Sequence, residues 1–378
     1  METAALYVHI PFCLSKCTYC DFFSLPVNSV PNGYVERLIE EHEYRKKNYL
    51  WSSVYIGGGT PSLLRHPDIV QFFNIVKPNC TSDAEITFEC NPGDVTEELL
   101  KTLADCGVNR LSLGIQTFSD EKLAFCKRRS TGSINHSALE LIKKAHFPHF
   151  SVDLISGLPP AADDAESLCS GILSVMDYGA DHISLYSLTV EEGTPLYNQV
   201  QLNPSLLDEE HNDNVWISGR DFLNNNGFHQ YEVSNFAREG CQSRHNKTYW
   251  DMKTYEGLGA GAVGTEFSGN TAQRYTNSTS IDCYINRPFQ EQEERFMLGP
   301  DDCINEFCMM GFRKIEGVNG MEFKKRFGFD ISRKIEPVFS RWINDNRAHI
   351  TANGNYALTE SGLLFLNSFL IELFSITL

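Results

Sequence analysis

Six short apolar runs alternate with helix-like runs in the first half of the chain, and this alternation constrains the fold more than any other feature. The strand-like runs are Leu6–Ile10, Val54–Ile56, Glu85–Glu89, Arg110–Ile115, Val152–Ile155 and His182–Leu185. The helix-like runs lie near Gly33–Lys47 (with Asn32 as the expected N-cap), Asp68–Val76, Glu97–Cys106, Asp120–Cys126, His136–His146 and Asp164–Tyr178. Alternating strands and helices form a parallel sheet with right-handed crossovers. Six units are too few for a complete eight-stranded barrel, so the sequence predicts an α/β fold with an open, partial barrel.

Polar and glycine residues follow each of these predicted strands. In parallel barrels, the chemistry takes place on the loops at the carboxyl ends of the strands. In chain order these ends read His9-Ile10-Pro11, Gly57-Gly58-Gly59-Thr60-Pro61, Glu89-Cys90-Asn91-Pro92, Gly114-Ile115-Gln116, Asp153 with Gly157-Leu158-Pro159, and Tyr186-Ser187. A barrel with only a structural role would not require this pattern. The sequence therefore predicts a functional site at this edge of the sheet.

The twelve cysteines do not indicate a disulfide framework, because the sequence shows no export signal. Met1–Ile10 has no basic leader, and Pro11 ends its apolar run. We therefore expect a cytoplasmic protein with reduced thiols. Nine of the cysteines are scattered, and buried free cysteine is common, so they are interpreted as core thiols.

The other three cysteines, Cys13, Cys17 and Cys20, lie within eight residues at the end of the first predicted strand. Thiolates bind soft metals, but a structural zinc site needs four ligands and no second cysteine pair follows. Three cysteines can hold a 4Fe–4S cluster and leave one iron open. An open iron can chelate S-adenosylmethionine, whose carbon–sulfur bond is then broken by electron transfer to give a 5′-deoxyadenosyl radical. The alternative is three unrelated thiols that happen to be close in sequence.

The cysteine loop resembles that of the radical S-adenosylmethionine superfamily. The wider string YVHIPFCLSKCTYCDF is similar to the oxygen-independent coproporphyrinogen III oxidase family and its relatives. The similarity continues in YIGGGTPSLL, FECNP, RLSLGIQTF, VDLISGLP, HISLYSLTVEEGTPLY, YEVSNFA, RHNKTYW, YEGLGAGA and LTESGLLFLN, so it spans nearly the whole chain. It implies a partial (β/α)6 TIM-like barrel.

The resemblance also implies roles for individual residues. Cys13, Cys17 and Cys20 would hold the cluster. The cofactor-binding residues around the cluster and adenosylmethionine would be Tyr7, Tyr19, Gly58, Gly59, Thr60, Glu89, Gln116, Arg128, Asp153 and Ser187. Carboxylates suit an ammonium group and ribose hydroxyls, and a guanidinium suits a carboxylate. For Glu89, Gln116 and Asp153 the structural alternative is capping of strand ends.

Three features separate the branches of this family. Phe22 stands where the oxidases usually have a further cysteine, and only twelve residues precede Cys13, where the oxidases have a long N-terminal segment. The haem chaperone branch carries His-Asn-x-x-Tyr-Trp, which here includes His245, Tyr249 and Trp250. A histidine can ligate haem iron, and aromatic rings can pack on the macrocycle. The alternative is a buried, hydrogen-bonded histidine among core aromatics.

One position departs from the family pattern. Ser130 follows Arg128 and Arg129 where the family often has a histidine. This departure weakens any role of that histidine and leaves the cysteine loop untouched.

The sequence divides into three predicted regions. They are a barrel over residues 1–232, a connecting region with the histidine–tyrosine–tryptophan motif over 233–289, and a smaller winged-helix-like domain over 290–378. The last region has helix-like runs at Cys303–Phe312, Met321–Phe327, Ile331–Trp342 and Leu363–Leu378, with a polar turn at Asn353-Gly354-Asn355. The charged residues Asp, Glu, Lys and Arg give a formal net charge of −17, which argues against a nucleic-acid partner. No stretch reaches the roughly 18 apolar residues that a membrane span needs.

The sequence thus predicts a haem chaperone-like protein that binds a 4Fe–4S cluster, S-adenosylmethionine and haem, and transfers haem to an acceptor protein. It also requires an electron donor to the cluster. The alternative activity is oxidative decarboxylation of coproporphyrinogen III to protoporphyrinogen IX, which we expect to be absent. A third class is radical-driven opening of haem to release iron. The identity of the acceptor, the haem ligand and the oligomeric state are not predicted.

Overall fold

The computed structural model describes residues 2–47, 49–160 and 164–375. The strands are β1 Glu2–Ile10, β2 Phe12–Cys13, β3 Leu25–Pro26, β4 Tyr49–Gly58, β5 Cys80–Cys90, β6 Arg110–Gln116, β7 His149–Ser156, β8 His182–Ser187, β9 His229–Gln230, β10 Asn235–Ala237, β11 Tyr255–Leu258, β12 Val263–Ser268, β13 Thr271–Asn277, β14 Glu293–Leu298, β15 Ala348–Ile350 and β16 Tyr356–Leu358.

The helices begin and end at the following residues: α1 Tyr34–Arg45, α2 His66–Val76, α3 Glu97–Cys106, α4 Asp120–Phe125, α5 Gly132–Ala145, α6 Ala165–Asp177, α7 Pro195–Leu202, α8 Glu209–Asn225, α9 Arg244–Trp250, α10 Ile281–Asn286, α11 Phe289–Gln292, α12 Pro300–Gly311, α13 Gly320–Phe327, α14 Ser332–Ile335, α15 Val338–Asn344, α16 Glu360–Leu363 and α17 Leu366–Phe374. Short 3-10 turns follow β4 and β5 at Pro61–Leu63 and Pro92–Asp94.

The six predicted strands form the parallel centre of one sheet, in the order β1-β4-β5-β6-β7-β8. Their side chains build the main apolar core with the helices that cross between them. The predicted α/β class and the partial barrel are confirmed. Because all six strands point the same way, their carboxyl ends lie along one edge, where the predicted site residues follow.

The sheet is larger than the sequence predicts. On one side β11 pairs parallel with β1, and β12, β13 and β14 continue it antiparallel. On the other side β10 and β9 extend it antiparallel from β8. Within the described residues the sheet therefore has twelve strands. Strands of this sheet lie on both sides of the predicted domain boundaries at residues 232/233 and 289/290. The division into three regions therefore stays a prediction.

The predicted cap of the first helix is wrong. The helix begins at Tyr34, and its N-cap is Gly33, which has a left-handed φ of 83° and offers no side chain. Asn32 lies one residue too early. Val35, Leu38 and His42 of this helix are buried, and Ile39 packs partly buried against the core.

The C-terminal helices pack around a second apolar core together with the β15–β16 hairpin. The predicted helix Ile331–Trp342 divides into α14 and α15, because Pro337 has no amide hydrogen to continue a helix and restricts Glu336 before it. The predicted final helix from Leu363 begins instead at Leu366, and its predicted end at 376–378 lies outside the described residues. Among the helices of the described residues, none is long and apolar enough to cross a membrane.

Candidate functional site

A cavity of about 640 Å³ opens at the carboxyl ends of the parallel strands. The thiols of Cys13, Cys17 and Cys20 lie at its wall. Nine of the ten residues predicted around the cluster and adenosylmethionine also line it: Tyr19, Gly58, Gly59, Thr60, Glu89, Gln116, Arg128, Asp153 and Ser187. Residues from five different strand ends thus meet around one space, as the pattern of the sequence predicts.

Backbone hydrogen bonds hold the cysteine loop in place, and no disulfide uses its thiols. The amides of Leu25 and Val27 donate to the carbonyls of Pro11 and Cys13, which pairs β2 with β3 at both ends of the loop. All three thiols are partly exposed and carry no disulfide. Cys13, Cys17 and Cys20 do not form a group whose ligand atoms all lie within 4.8 Å of one another, so at least two of their sulfurs are farther apart than that. Such a separation fits a multinuclear cluster better than a single tetrahedral ion.

The glycines after β4 bring the backbone against this loop. A Cβ on Gly59 would lie 2.7 Å from the carbonyl oxygen of Phe12 and 3.0 Å from the Cys13 sulfur. Gly58 has a φ of +110°, and a Cβ there would lie 2.6 Å from Nδ1 of His9. A side chain at Gly59 would fill the space beside the Cys13 thiol, and one at Gly58 would clash with the His9 ring. The strand end therefore presents bare peptide groups there, suited to a bound ligand.

Two partly buried carboxyl groups face the cavity, and neither forms a salt bridge among the described residues. Glu89 accepts hydrogen bonds from the Tyr55 hydroxyl at 2.6 Å and from the Gly58 amide at 3.2 Å. Burial raises the pKa of Glu89 to about 7. Burial also raises the pKa of Asp153 to about 6, against the opposing effects of a hydrogen bond from Ser184 and of the positive charge of Arg128. No salt bridge to either carboxyl lies within 4.0 Å among the described residues, so both are available to a cationic ligand.

The end of β6 is strained toward the cavity. Gln116 has a φ of 68°, a left-handed conformation that costs free energy for any residue other than glycine. A Cβ on Gly114 would lie 2.9 Å from Nε2 of Gln116, so the glycine makes room for this side chain. Arg128 donates from Nη2 to the Gly114 carbonyl and from Nη1 to the Cys17 sulfur at 3.8 Å, and its buried Nε has no partner. The strained backbone of Gln116 and the unpaired Nε of Arg128 both lie at the end of β6, and together they indicate that a ligand binds there.

Tyr7 alone of these predicted residues does not line the cavity. Its hydroxyl donates to Nδ1 of His9 at 2.9 Å, and Nε2–H of His9 donates to the carbonyl of Phe23 at 2.9 Å. This chain of hydrogen bonds ties β1 to the end of the cysteine loop. Tyr7 packs behind Tyr55, with ring centroids 6.2 Å apart. Tyr55 was missed by sequence reasoning, because an aromatic residue within an apolar strand reads as core. His9 was expected only as one of the strand-end residues, without this role.

Ser130, at the departure from the family pattern, is buried and its hydroxyl has no hydrogen-bond partner. The loop around it keeps its place through Arg129, which forms two hydrogen bonds of 3.0 and 2.8 Å with the Asp94 carboxylate. Arg128 therefore still reaches the cavity although the histidine is replaced.

The structure separates the residues of the predicted haem motif. His245 is 1% exposed, and its Nδ1 and Nε2 are hydrogen-bonded to the hydroxyls of Ser53 and Tyr249, both at 2.9 Å. Burial lowers its pKa to about 3. Trp250 lines a different, smaller pocket. As folded, His245 matches the structural alternative of a buried, hydrogen-bonded histidine, and haem contact by these residues stays a prediction.

The fold and the three-cysteine cavity together define a radical S-adenosylmethionine protein. The sequence model of the Radical SAM superfamily matches residues 7–169. A solved structure described as coproporphyrinogen III oxidase (HemN) from Escherichia coli superposes with a TM-score of 0.81 at 19% identity, covering 98% of this chain and 90% of that one. At that identity the likeness shows the fold.

Curated relatives show to which branch of the radical S-adenosylmethionine proteins this chain is most similar in sequence over its length. "Heme chaperone HemW" of Lactococcus lactis is 34% identical over 92% of this chain and 93% of its own. HemW of Bacillus subtilis is 33% identical over 90% of each chain. The mouse "Radical S-adenosyl methionine domain-containing protein 1, mitochondrial" is 37% identical over 90% of this chain and 77% of its own. The chain belongs to the HemW family.

The residues present fit the cofactors that the superfamily implies. When bound, a 4Fe–4S cluster and S-adenosylmethionine supply one-electron cleavage of a carbon–sulfur bond. Cys13, Cys17 and Cys20 are the thiolates that would hold the cluster. The bare strand end at Gly58 and Gly59 and the two unpaired carboxyl groups suit a ligand that carries an ammonium and a sulfonium group.

Proposed function

We propose that this protein binds haem and transfers it to an acceptor protein, with a cluster and adenosylmethionine held in the barrel. The observation that carries the proposal is the 34% identity to a relative named a heme chaperone, over nine-tenths of both chains. Phe22 supports it, because its side chain is 72% exposed at the cavity wall, where the oxidases usually have a further thiol.

In this proposal the chain's own residues bind and orient the cofactors. Glu89, held by Tyr55 and Gly58, accepts the ammonium group, and Asp153 accepts polar hydrogens of the nucleoside. Arg128 lies beside the Cys17 sulfur, where its positive charge stabilises a thiolate and attracts a carboxylate. Tyr19, within the cysteine loop, interacts with the Arg128 guanidinium, and Ser187 also lines the cavity. Gly59 and Thr60 border Cys13, with Thr60 Oγ1 donating to its sulfur at 3.4 Å.

We place haem contact in the region of His245, Tyr249 and Trp250, with different roles for its ends. His245 can reach an iron only after its bonds to Ser53 and Tyr249 break. Trp250 lies on the other side of α9, and its buried indole N–H has no partner. The indole N–H of Trp250 therefore needs no existing hydrogen bond to break before it can donate to a ligand.

The test is anaerobic reconstitution of the cluster, followed by haem titration and product analysis. We expect stoichiometric haem binding, transfer to a haem-free acceptor, and no protoporphyrinogen from coproporphyrinogen III under reducing conditions. Protoporphyrinogen formation would favour the oxidase instead. Loss of the haem absorbance together with consumption of adenosylmethionine would indicate the third class, haem opening.

The proposal includes two protein partners, a haem acceptor and an electron donor for the cluster. It also includes a cytoplasmic location, which rests on the sequence alone. The name of the mouse relative places that protein in mitochondria. Fractionation of the native host, with detection of the protein in soluble and membrane fractions, tests the location.

A further inference from the structure

A second pocket of about 140 Å³ lies where the barrel meets the C-terminal helices. Here the amide of Ile315 donates to the carbonyl of Tyr231 at 3.1 Å, which joins the two parts of the chain. Gln230, Lys247, Trp250, Lys314 and Glu316 are among the residues that line the pocket. None of them belongs to the cluster cavity.

Polar atoms inside this pocket lack partners. The indole Nε1 of Trp250 and the side-chain oxygen Oε1 of Gln230 are buried without a hydrogen bond. Buried polar groups in proteins are nearly always paired, so each unpaired one calls for an explanation. An indole N–H can only donate, and it therefore requires an acceptor atom in the pocket.

Positive charge is concentrated around the same indole. Lys247 donates to Oε1 of Gln242 at 3.2 Å and forms no salt bridge within the described part of the chain. Lys314 bridges Asp251 at 2.7 Å and Glu316 at 3.4 Å. Lys247 is therefore the lysine of this pocket whose charge no carboxylate balances within the described residues.

Arg313 adds a third cation beside the Trp250 ring, although its side chain does not line the pocket. Its guanidinium lies 5.7 Å from the centre of the Trp250 ring. Its Nε is buried without a partner, and no carboxylate lies within 4.0 Å of the guanidinium among the described residues. Burial lowers its pKa, opposed by the charge of Glu232. A partly buried guanidinium is stabilised by an anion, and none is in contact with it among the described residues.

We propose that this pocket binds a carboxylate arm of haem, with Trp250 Nε1–H donating to it and Lys247, Lys314 and Arg313 balancing its charge. The inference rests on the proposed function and names the contact that anchors the ligand. A volume of about 140 Å³ holds a carboxylate on a short alkyl arm, while the flat macrocycle stays outside. An ordered water would satisfy the indole N–H, but it would not account for the three cations.

The test compares two porphyrins that differ only in this charge. Full-length protein is titrated with iron protoporphyrin IX and with its dimethyl ester, both in the same detergent. We expect the free acid to bind about tenfold more tightly, as for the loss of one charge-assisted hydrogen bond. Trp250→Phe keeps an aromatic ring, smaller than the indole, and removes the N–H. This variant and Lys247→Met should each weaken binding of the free acid and spare binding of the ester.

Two further variants sharpen the test. Glu316→Gln removes the negative charge at the pocket and should tighten binding of the free acid only. Lys325→Met makes the same charge change as Lys247→Met at an exposed position of α13, and both affinities should stay as in the wild type. Since Lys314 also bridges Asp251, Lys247 carries the charge test.

Three results overturn the inference. Equal wild-type affinity for acid and ester shows that no carboxylate is recognised, although haem binding itself then stands. A Trp250→Phe or Lys247→Met variant that weakens both porphyrins equally places the effect on the macrocycle. Absence of binding of either porphyrin overturns the proposed function together with this inference. Thermal midpoints of all variants confirm that folded proteins are compared.

Discussion

Tyr55 donates a hydrogen bond of 2.6 Å from its hydroxyl to Oε1 of Glu89, across the adjacent strands β4 and β5. The Gly58 amide binds the other carboxylate oxygen. Together these donors fix the carboxylate at the strand end with its charge directed into the cavity. The hydrogen bond also lowers the pKa of Glu89 against the larger, opposite effect of burial.

The first prediction concerns this pair. Tyr55→Phe should raise the pKa of Glu89 further and weaken adenosylmethionine binding by about 0.5–1.5 kcal/mol, the usual net value of one hydrogen bond. Calorimetric titration of the cluster-loaded protein under anaerobic conditions measures the affinity. Tyr44→Phe changes a tyrosine far from the cavity and should leave it unchanged. An unchanged affinity in Tyr55→Phe would show that the pair does not serve the ligand.

The second prediction is the pH dependence. The folded-state pKa values of Glu89 (about 7) and Asp153 (about 6) lie above their ordinary values of 4.5 and 3.8. The folded protein therefore holds protons that the unfolded chain releases, and the free energy of unfolding without ligand should fall as the pH rises from about 4 to 7. Affinity for a cationic ligand should rise over the same window, because the carboxylates become charged.

Affinity for adenosylmethionine at pH 5.5 and pH 8 checks this prediction. Glu89→Gln should bind more weakly at pH 8 and show a flatter pH profile than the wild type. A wild-type affinity that is constant over this range would mean that neither carboxyl faces the charge of the ligand.

The third prediction concerns the cluster ligands. Alanine at Cys13, Cys17 or Cys20 should abolish the brown chromophore and the bound iron after reconstitution, since three thiolates are the minimum that we expect to hold the cluster. Cys169→Ala is the matched control outside the cavity. Cys90 lines the cavity but is buried, with its pKa raised by that burial, and Cys90→Ala should also keep its iron. Iron loss in Cys90→Ala would reveal a further ligand.

The fourth prediction distinguishes a ligand pocket from structural capping. Asp153→Ala should weaken adenosylmethionine binding by about 1–3 kcal/mol. The ligand-free thermal midpoint should hold or rise, because a buried carboxyl without a salt bridge is removed. If Asp153→Ala unfolds the protein and spares binding in what remains folded, the carboxyl is a strand-end cap.

The fifth prediction concerns His245. Because both ring nitrogens are hydrogen-bonded in a buried position, His245→Ala should lower the free energy of unfolding by about 1–3 kcal/mol. Denaturant unfolding measures this loss, and Ser52→Ala, at a partly exposed neighbour of Ser53, provides the comparison. A Soret band in the folded variant identical to the wild type would exclude His245 as the iron ligand. A shifted band would require that the histidine leaves Ser53 and Tyr249 when haem binds.

The amino-acid sequence alone determined the cluster loop and the strand-end residues of the cavity. Local spacing places three thiols together, and parallel strands bring their carboxyl ends to one edge whatever the details of packing. The partners of these residues depended on tertiary structure. Tyr55 and His9 lie within apolar strands, and only the register between strands shows that they support Glu89 and the glycine turn.

The haem motif shows the same division. The sequence places His245 and Trp250 five residues apart, but not which way each side chain faces. Only packing decided that His245 turns inward to Ser53, 192 positions earlier in the chain. Packing also decided that Trp250 lines one pocket together with Lys314, which follows α12. Such contacts join segments far apart in sequence, and neither spacing nor periodicity encodes them, because both describe only neighbours along the chain.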